Sequence, residues 1–128
     1  HPSVRTSKYV ELGEGCIITA GCILTTQIKI GRHCIINLAS TIGHDVQIGS
    51  YCTLAPQVAV SGNVSLGEGV ELGTGAILLP KISIDEGSVV GAGSVVAKDI
   101  PKNVLVVGTP ARMVKTLEPF YVENRMHH

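Results

Sequence analysis

Among side chains able to move protons, bind metals or act as nucleophiles, this chain holds five histidines and four cysteines. His1, His127 and His128 lie at the chain ends, which leaves His33 and His44 as internal candidates. An isolated surface histidine is usually only solvated. His44 stands apart because Asp45 follows it in a stretch with few charges, and a neighbouring carboxylate raises the basicity of an imidazole, as a general base requires. Metal chemistry is a poorer fit. A catalytic zinc wants three protein ligands with one position open, whereas His33 and His44 are 11 apart and share no repeat position. Cys16, Cys22, Cys34 and Cys52 are separated by multiples of six, which is not a zinc signature.

That spacing of six belongs to the whole chain. Stepping from Leu12 gives Ile18, Leu24, Ile30 and so on to Val96, fifteen positions that are all Leu, Ile or Val. Four residues after each comes a second column of small or aliphatic residues, from Cys16 to Ile100, and it contains all four cysteines. Six fits neither the 3.6-residue helix nor the two-residue strand alternation, but it fits short strands joined by bends. Three hexads make one triangular turn of 18 residues, so the expected fold is an all-β parallel β-helix of about five coils between Leu12 and Pro101, with rungs about 4.8 Å apart. Val4 and Val10 keep the second column in phase, so the first coil is expected to begin near residue 4. Gly13, Gly31, Gly43, Gly49, Gly67, Gly73 and Gly91 follow first-column residues, where a tight bend is expected of a backbone without Cβ. The cysteines then read as small buried hydrophobes. Cys16, Cys34 and Cys52 stack one above another, a geometry that permits a disulfide but one that a reducing cytoplasm disfavours. His33 and His44 fall outside both columns and project outward.

Composition sets the class. Hydrophobic residues make up 45%, with one Phe, three Tyr and no Trp, which suits narrow aliphatic layers. Ten basic residues balance ten acidic ones, so the electrostatic footprint of a nucleic-acid or anionic-membrane binder is absent. No apolar run approaches the roughly 20 residues that cross a bilayer, and no signal peptide heads the chain. A cytoplasmic protein is expected. The first residue is His1 rather than Met, and the expectation is a piece of a longer chain. Two divisions are expected: residues 1–101 as the repeat domain, and 102–128 as a loop and tail with an exposed or short helical end around Pro119.

The hexads, the segments Ile36-Asn37 and Ser40-Thr41-Ile42-Gly43-His44-Asp45, the later Ser61-Gly62-Asn63-Val64, and the ending Gly108-Thr109-Pro110-Ala111-Arg112 together resemble the hexapeptide-repeat acyltransferases. Within these, the sialic-acid O-acetyltransferases and the bacillosamine-pathway sugar N-acetyltransferases are most similar. The resemblance implies a left-handed coil, a homotrimer, and acetyl-CoA lying between neighbouring subunits. It implies His44 as the base for the acceptor hydroxyl or amine, Asp45 as its acidic support, and the Gly62 N–H as donor to the thioester oxygen. Thr53, Thr74, Ala92, Pro110 and Arg112 would line the CoA site, Asn37 would contact the acceptor, and no metal is implied. The resemblance also shows two departures. Thr53 stands where some members have a second histidine, and the N-terminal nucleotide-sugar-binding α/β domain usual in this branch is absent from the sequence. A fragment, or a trimer that holds the acceptor alone, would each account for that. Hydroxyl and amine acceptors both remain open. The competing class is a scaffolding β-helix trimer, which explains the repeat but gives His44-Asp45 and the Gly-x-Pro-Ala ending no purpose. An ice-binding face is set aside because the threonines are scattered.

Overall fold

The computed structural model describes residues 3–6 and 9–120. His1, His127 and His128 lie outside them, as does the tail from residue 121 on; around Pro119, where an exposed or short helical end is expected, residues 117–120 form no helix and Pro119 is exposed. Among the described residues every regular element is a β-strand, and most are only two residues long. The strands fall into three sheets, here called faces A, B and C. Face A runs Arg5–Thr6, Ile23–Leu24, Thr41–Ile42, Ala59–Val60, Ile77–Leu78 and Val95–Val96. Face B runs Val10–Leu12, Ile28–Ile30, Gln47–Ile48, Ser65–Leu66 and Ser83–Ile84, and face C begins Ile17–Ile18, Ile35–Ile36, Thr53–Leu54, Glu71–Leu72 and Val89–Val90. Each of these strands pairs in parallel with the residue 18 positions on, as in Ile23↔Thr41 and Ala59↔Ile77. The parallel β-helix expected from the hexads, left-handed as the resemblance implies, is the fold found. It starts where expected, since Arg5–Thr6 already pairs with Ile23–Leu24.

Both inward columns fill the prism. From Leu24 to Val96 every first-column residue is buried, and so is every second-column residue from Cys22 to Ile100. The second-column serines are buried with their hydroxyls satisfied: Ser40 Oγ donates to Ala55 O at 3.1 Å and accepts from Val58 N at 3.2 Å. Leu12 departs from the pattern at 48% exposed. Its strand is the end member of face B, so no coil covers its outer side. All four cysteines carry free thiols.

The structure assigns the glycines of the first-column bend a different job from the one expected. None of those seven has a positive φ; a Cβ on Gly73 would instead meet Ala92 N at 2.5 Å, and one on Gly43 would meet Gly62 N at 2.7 Å. They are small so that one coil can rest on the next. The left-handed torsion lies two residues later, at Gly15, Gly21, Gly75 and their equivalents. Several of these corner positions carry side chains, among them His33 (φ 54°) and Asp45 (φ 56°).

The six-residue frame ends at Pro101 as expected, but the chain beyond it is not a loop. Val104–Gly108 joins face C, pairing Val89↔Leu105 and Val90↔Val106, and Val104 and Val106 enter the core. The step there is 16 residues, two short of a full turn, so the six-residue frame is lost while the sheet goes on. Ala111–Thr116 then turns back antiparallel on Val104–Gly108 through a cis Thr109–Pro110 peptide. The expected loop is thus a hairpin. Phe120 folds back beyond it, its ring resting over Gly69. No helix of the described residues is long and apolar enough to cross a membrane.

Candidate active site

His44 and Asp45 sit on the edge between faces A and B, in the bend that follows Thr41–Ile42. The left-handed torsion at Asp45 turns its carboxylate beside the preceding ring: His44 Nδ1 lies 2.9 Å from Asp45 Oδ2. A carboxylate can only accept, so Nδ1 carries the hydrogen, and in the neutral ring Nε2 is the nitrogen left with a lone pair. One coil on, a Cβ at Gly62 would lie 2.7 Å from His44 Nε2. The imidazole therefore covers Gly62 through the space its missing side chain leaves. Among the described residues the Gly62 N–H meets no acceptor. Both side chains remain open to solvent, His44 at 59% and Asp45 at 54%.

The other expected residues occupy a different edge. Asn37, Thr74 and Ala92 lie on the bends from face C to face A, with Thr74 O accepting from Gly93 N at 2.8 Å. Gly108 N donates to Ser94 Oγ at 3.0 Å, which brings Pro110, at the hairpin tip, to the C-terminal end of that same edge. Arg112 is exposed on the outer hairpin strand. Thr53 lies on face C, half-buried between Ile35 and Glu71. One chain thus brings His44, Asp45 and Gly62 together, and separately Thr74, Ala92 and Pro110. The whole of face A stands between the two groups. Asn37 also has an internal task, since its Nδ2 donates to Leu54 O at 3.0 Å, as Thr19 and Thr25 do to the carbonyls beside them.

Two features were not read from the sequence. A shallow pocket of about 320 Å³ opens next to Asp45, with Gln27, Lys29, Gln47, Tyr9 and Glu11 on its walls. Glu11 and Lys29 approach to 4.0 Å across it. The other is the use of left-handed corners. On the A/B edge all five are non-glycine: Tyr9, Gln27, Asp45, Asn63 and Lys81. On each of the other two edges three of the five corresponding positions are glycine, namely Gly15, Gly69 and Gly87, and Gly21, Gly75 and Gly93. A count of non-glycine residues one place before the second column would have shown it. His33, by contrast, stacks on Tyr51 at 5.5 Å with Arg32 near the same ring, on the B/C edge away from His44. Among the described residues no group of three or more His, Cys, Asp or Glu is assembled that could hold a metal ion.

The fold is the one shared by solved sugar N-acetyltransferases of the hexapeptide-repeat β-helix kind, the group that the sequence resembles. The GDP-perosamine N-acetyltransferase PerB of Caulobacter crescentus, solved with CoA and GDP-perosamine, superposes with a TM-score of 0.89 at 41% identity, over 90% of this chain and 56% of that one. The acetyltransferase domain of PglB from Neisseria gonorrhoeae, solved with acetyl coenzyme A, gives 0.87 at 30%, over 89% and 56%. WeeI of Acinetobacter baumannii gives 0.81 at 37%, over 87% and 54%. The chain spans a little over half the length of each. No protein-family model and no curated protein sequence matches it.

Proposed function

We propose that this chain is the acetyl-transfer part of an acetyl-CoA-dependent sugar N-acetyltransferase acting in the cytoplasm. The observation that carries the reading is the His44 ring, held by Asp45 at 2.9 Å and lying over Gly62. Similarity to PerB, a perosamine N-acetyltransferase solved with CoA and GDP-perosamine, supports an amino-sugar nucleotide as acceptor and an amine as the attacked group.

In the proposed reaction the acceptor nitrogen attacks the thioester carbonyl while His44 Nε2 takes its proton. The Gly62 N–H donates to the carbonyl oxygen as it gains charge. The C–S bond then breaks, the amide is formed, and the CoA thiolate recovers a proton from the imidazolium. Asp45 holds the ring in the one tautomer that can accept.

The donor-lining residues Thr53, Thr74, Ala92, Pro110 and Arg112 lie away from His44 within one chain, so the site is complete only if a second copy brings its C/A edge to the A/B edge of the first. The surface favours this arrangement. Faces A and C present Ile23, Ile77, Ile17 and Ile35 to solvent, with Leu38 on the edge between them, whereas face B presents Glu11, Lys29, Gln47 and Ser65. A homotrimer with three shared sites follows from this reading.

A thermal melt with acetyl-CoA, with desulfo-CoA as control for the thiol, tests it first. A ligand at 100 times its Kd stabilises by about 2.7 kcal/mol. No shift with either acetyl-CoA or desulfo-CoA, together with no acetylation of GDP-perosamine, would leave a scaffolding β-helix as the better reading.

A further inference from the structure

The outer strand of the C-terminal hairpin has little of its own to hold it in place. From Arg112 to Thr116 every residue is exposed, the strand ends face C, and its pairing with Val104–Gly108 shifts register between Leu105 and Val106. A two-stranded ribbon is marginal by itself in water. Yet this hairpin carries Pro110 at its tip and Arg112 on its outer strand, two of the residues proposed to line the donor site.

The segment that follows fastens it. Leu117 N donates to Asn103 O at 2.7 Å, and Phe120 N donates to the side chain of the same residue, Asn103 Oδ1, at 3.2 Å. Asn103 is in turn tied to the coil beneath it, its N donating to Glu86 O at 3.0 Å. Phe120 then turns its ring into a slot made by two bare corners, one coil apart on the B/C edge. A Cβ on Gly69 would meet ring atoms of Phe120 at 2.5 and 2.6 Å, and one on Gly87 would meet Phe120 Cβ at 2.8 Å and Asn103 Oδ1 as well. A bare corner does not draw in an occupant by itself: on the C/A edge, Gly75 and Gly93 have nothing within 4 Å.

The tip is tied from the other side by Gly108 N, which donates to Ser94 Oγ at 3.0 Å. Pro110 and Arg112 therefore lie between two fastenings. Asn103 and Phe120 sit on the B/C edge, away from both His44 and the donor-lining residues, so they act on the donor only through the hairpin.

We propose that Phe120 and Asn103 are positioning residues for the acyl donor: they latch the strap after Ala111–Thr116 into the Gly69–Gly87 slot and so set where Pro110 and Arg112 meet acetyl-CoA. This rests on the acetyltransferase reading and adds to it residues that touch no substrate. Where the latch is open in part of the chains, donor affinity falls by the fraction that keeps the hairpin in place, while transfer from bound donor, which is set at His44, is unchanged.

The experiment compares the full chain with Phe120→Ala, Asn103→Gly and Asn103→Asp. Glycine removes the Oδ1 acceptor but takes the φ of 54° at this position without strain, and Asp keeps an acceptor for the Phe120 N–H. The readouts are initial rates with GDP-perosamine at varied acetyl-CoA, the calorimetric Kd of acetyl-CoA, and hydrogen exchange of the Ala111–Thr116 amides. In Phe120→Ala the KM and Kd for acetyl-CoA are expected to rise about fivefold, as when the hairpin is in place in about one chain in five, with kcat kept and hairpin exchange faster. Asn103→Gly should move the same way, and Asn103→Asp should return to the parent values. Neither residue belongs to the aliphatic core, so the coils keep their melting temperature.

Parent KM and Kd in Phe120→Ala overturn the proposal, as does a fall in kcat at unchanged KM. An Asn103→Asp chain as impaired as Asn103→Gly overturns the part given to the Oδ1 acceptor. A parent chain that binds acetyl-CoA while its variants bind equally well removes the latch and leaves the acetyltransferase reading. A parent that does not bind acetyl-CoA removes both.

Discussion

In the proposed transfer the chemistry at His44 depends on which nitrogen is free, and the contact with Asp45 sets it. Replacing His44 by Ala removes the proton acceptor but no core contact, so acetyl transfer is expected to fall by about 10²–10⁴-fold with the melting temperature and the acetyl-CoA shift kept. An active His44→Ala chain would remove His44 from the mechanism. Gly62→Ala probes the other side of the ring. Its φ is not positive, so the backbone tolerates alanine, but the new methyl would lie 2.7 Å from Nε2 and push the imidazole away. The expected result is a chain of near-parent stability with transfer reduced at least as far as in His44→Ala; normal turnover would show that the ring does not work from above Gly62. Of this constellation, His44, Asp45 and the one-coil offset of Gly62 were legible in the sequence, because 18 residues are one turn of any such prism. Tyr9, Gln27 and Gln47 were not. Single polar residues in a repeat look like ordinary surface until the corner torsions and the pocket show which edge they share.

Along each coil, glycine serves two purposes that the sequence does not separate. A methyl at Gly73 would collide with backbone, Ala92 N at 2.5 Å, while one at Gly75 would touch nothing within 4 Å but would inherit a φ of 71°. Gly75→Ala is therefore expected to cost about 1–2 kcal/mol, and Gly73→Ala clearly more, since two coils must move apart. Denaturant titrations of the pair check the order. Equal losses would mean that stacking clearance is not what Gly73 provides. The hexads were readable because burial repeats with them. The hairpin after Pro101 was not, because its strand meets face C at a 16-residue step, where counting by six points to the wrong residues. The cysteine ladder follows from burial alone. Cys22, Cys34 and Cys52 are fully buried and Cys16 only partly, and burial pushes the Cys16 thiol up while the Cys52 thiol beside Cys34 brings Cys34 down to about 7. A thiol reagent should modify Cys16 alone in the native chain and all four in denaturant. Fast native labelling of Cys34 would mean that the coil opens there, because in the closed coil the side chain is fully buried.

For the whole molecule, faces A and C and the edge between them carry most of the exposed aliphatic residues, and face B, apart from Leu12 at its end, presents mainly polar ones. If copies associate through the apolar edge, Ile77→Asp should lower the mass seen by sedimentation toward that of one chain and abolish the acetyl-CoA shift, while the strand signal in circular dichroism persists. An oligomer unchanged by Ile77→Asp would place the contact elsewhere. The stacking has a further consequence. Because each turn advances the structure by one fixed rung of about 4.8 Å, the span between Gly62 and the Pro110 hairpin is a built-in length gauge, counted in whole turns rather than adjusted continuously. Excising residues 65–82 would close the hexad frame without a mismatch and keep His44, Gly62 and the hairpin, yet shorten the gauge by one division. A linear donor with a reactive end and an anchored end would then no longer span both, so its fit is set by the number of turns.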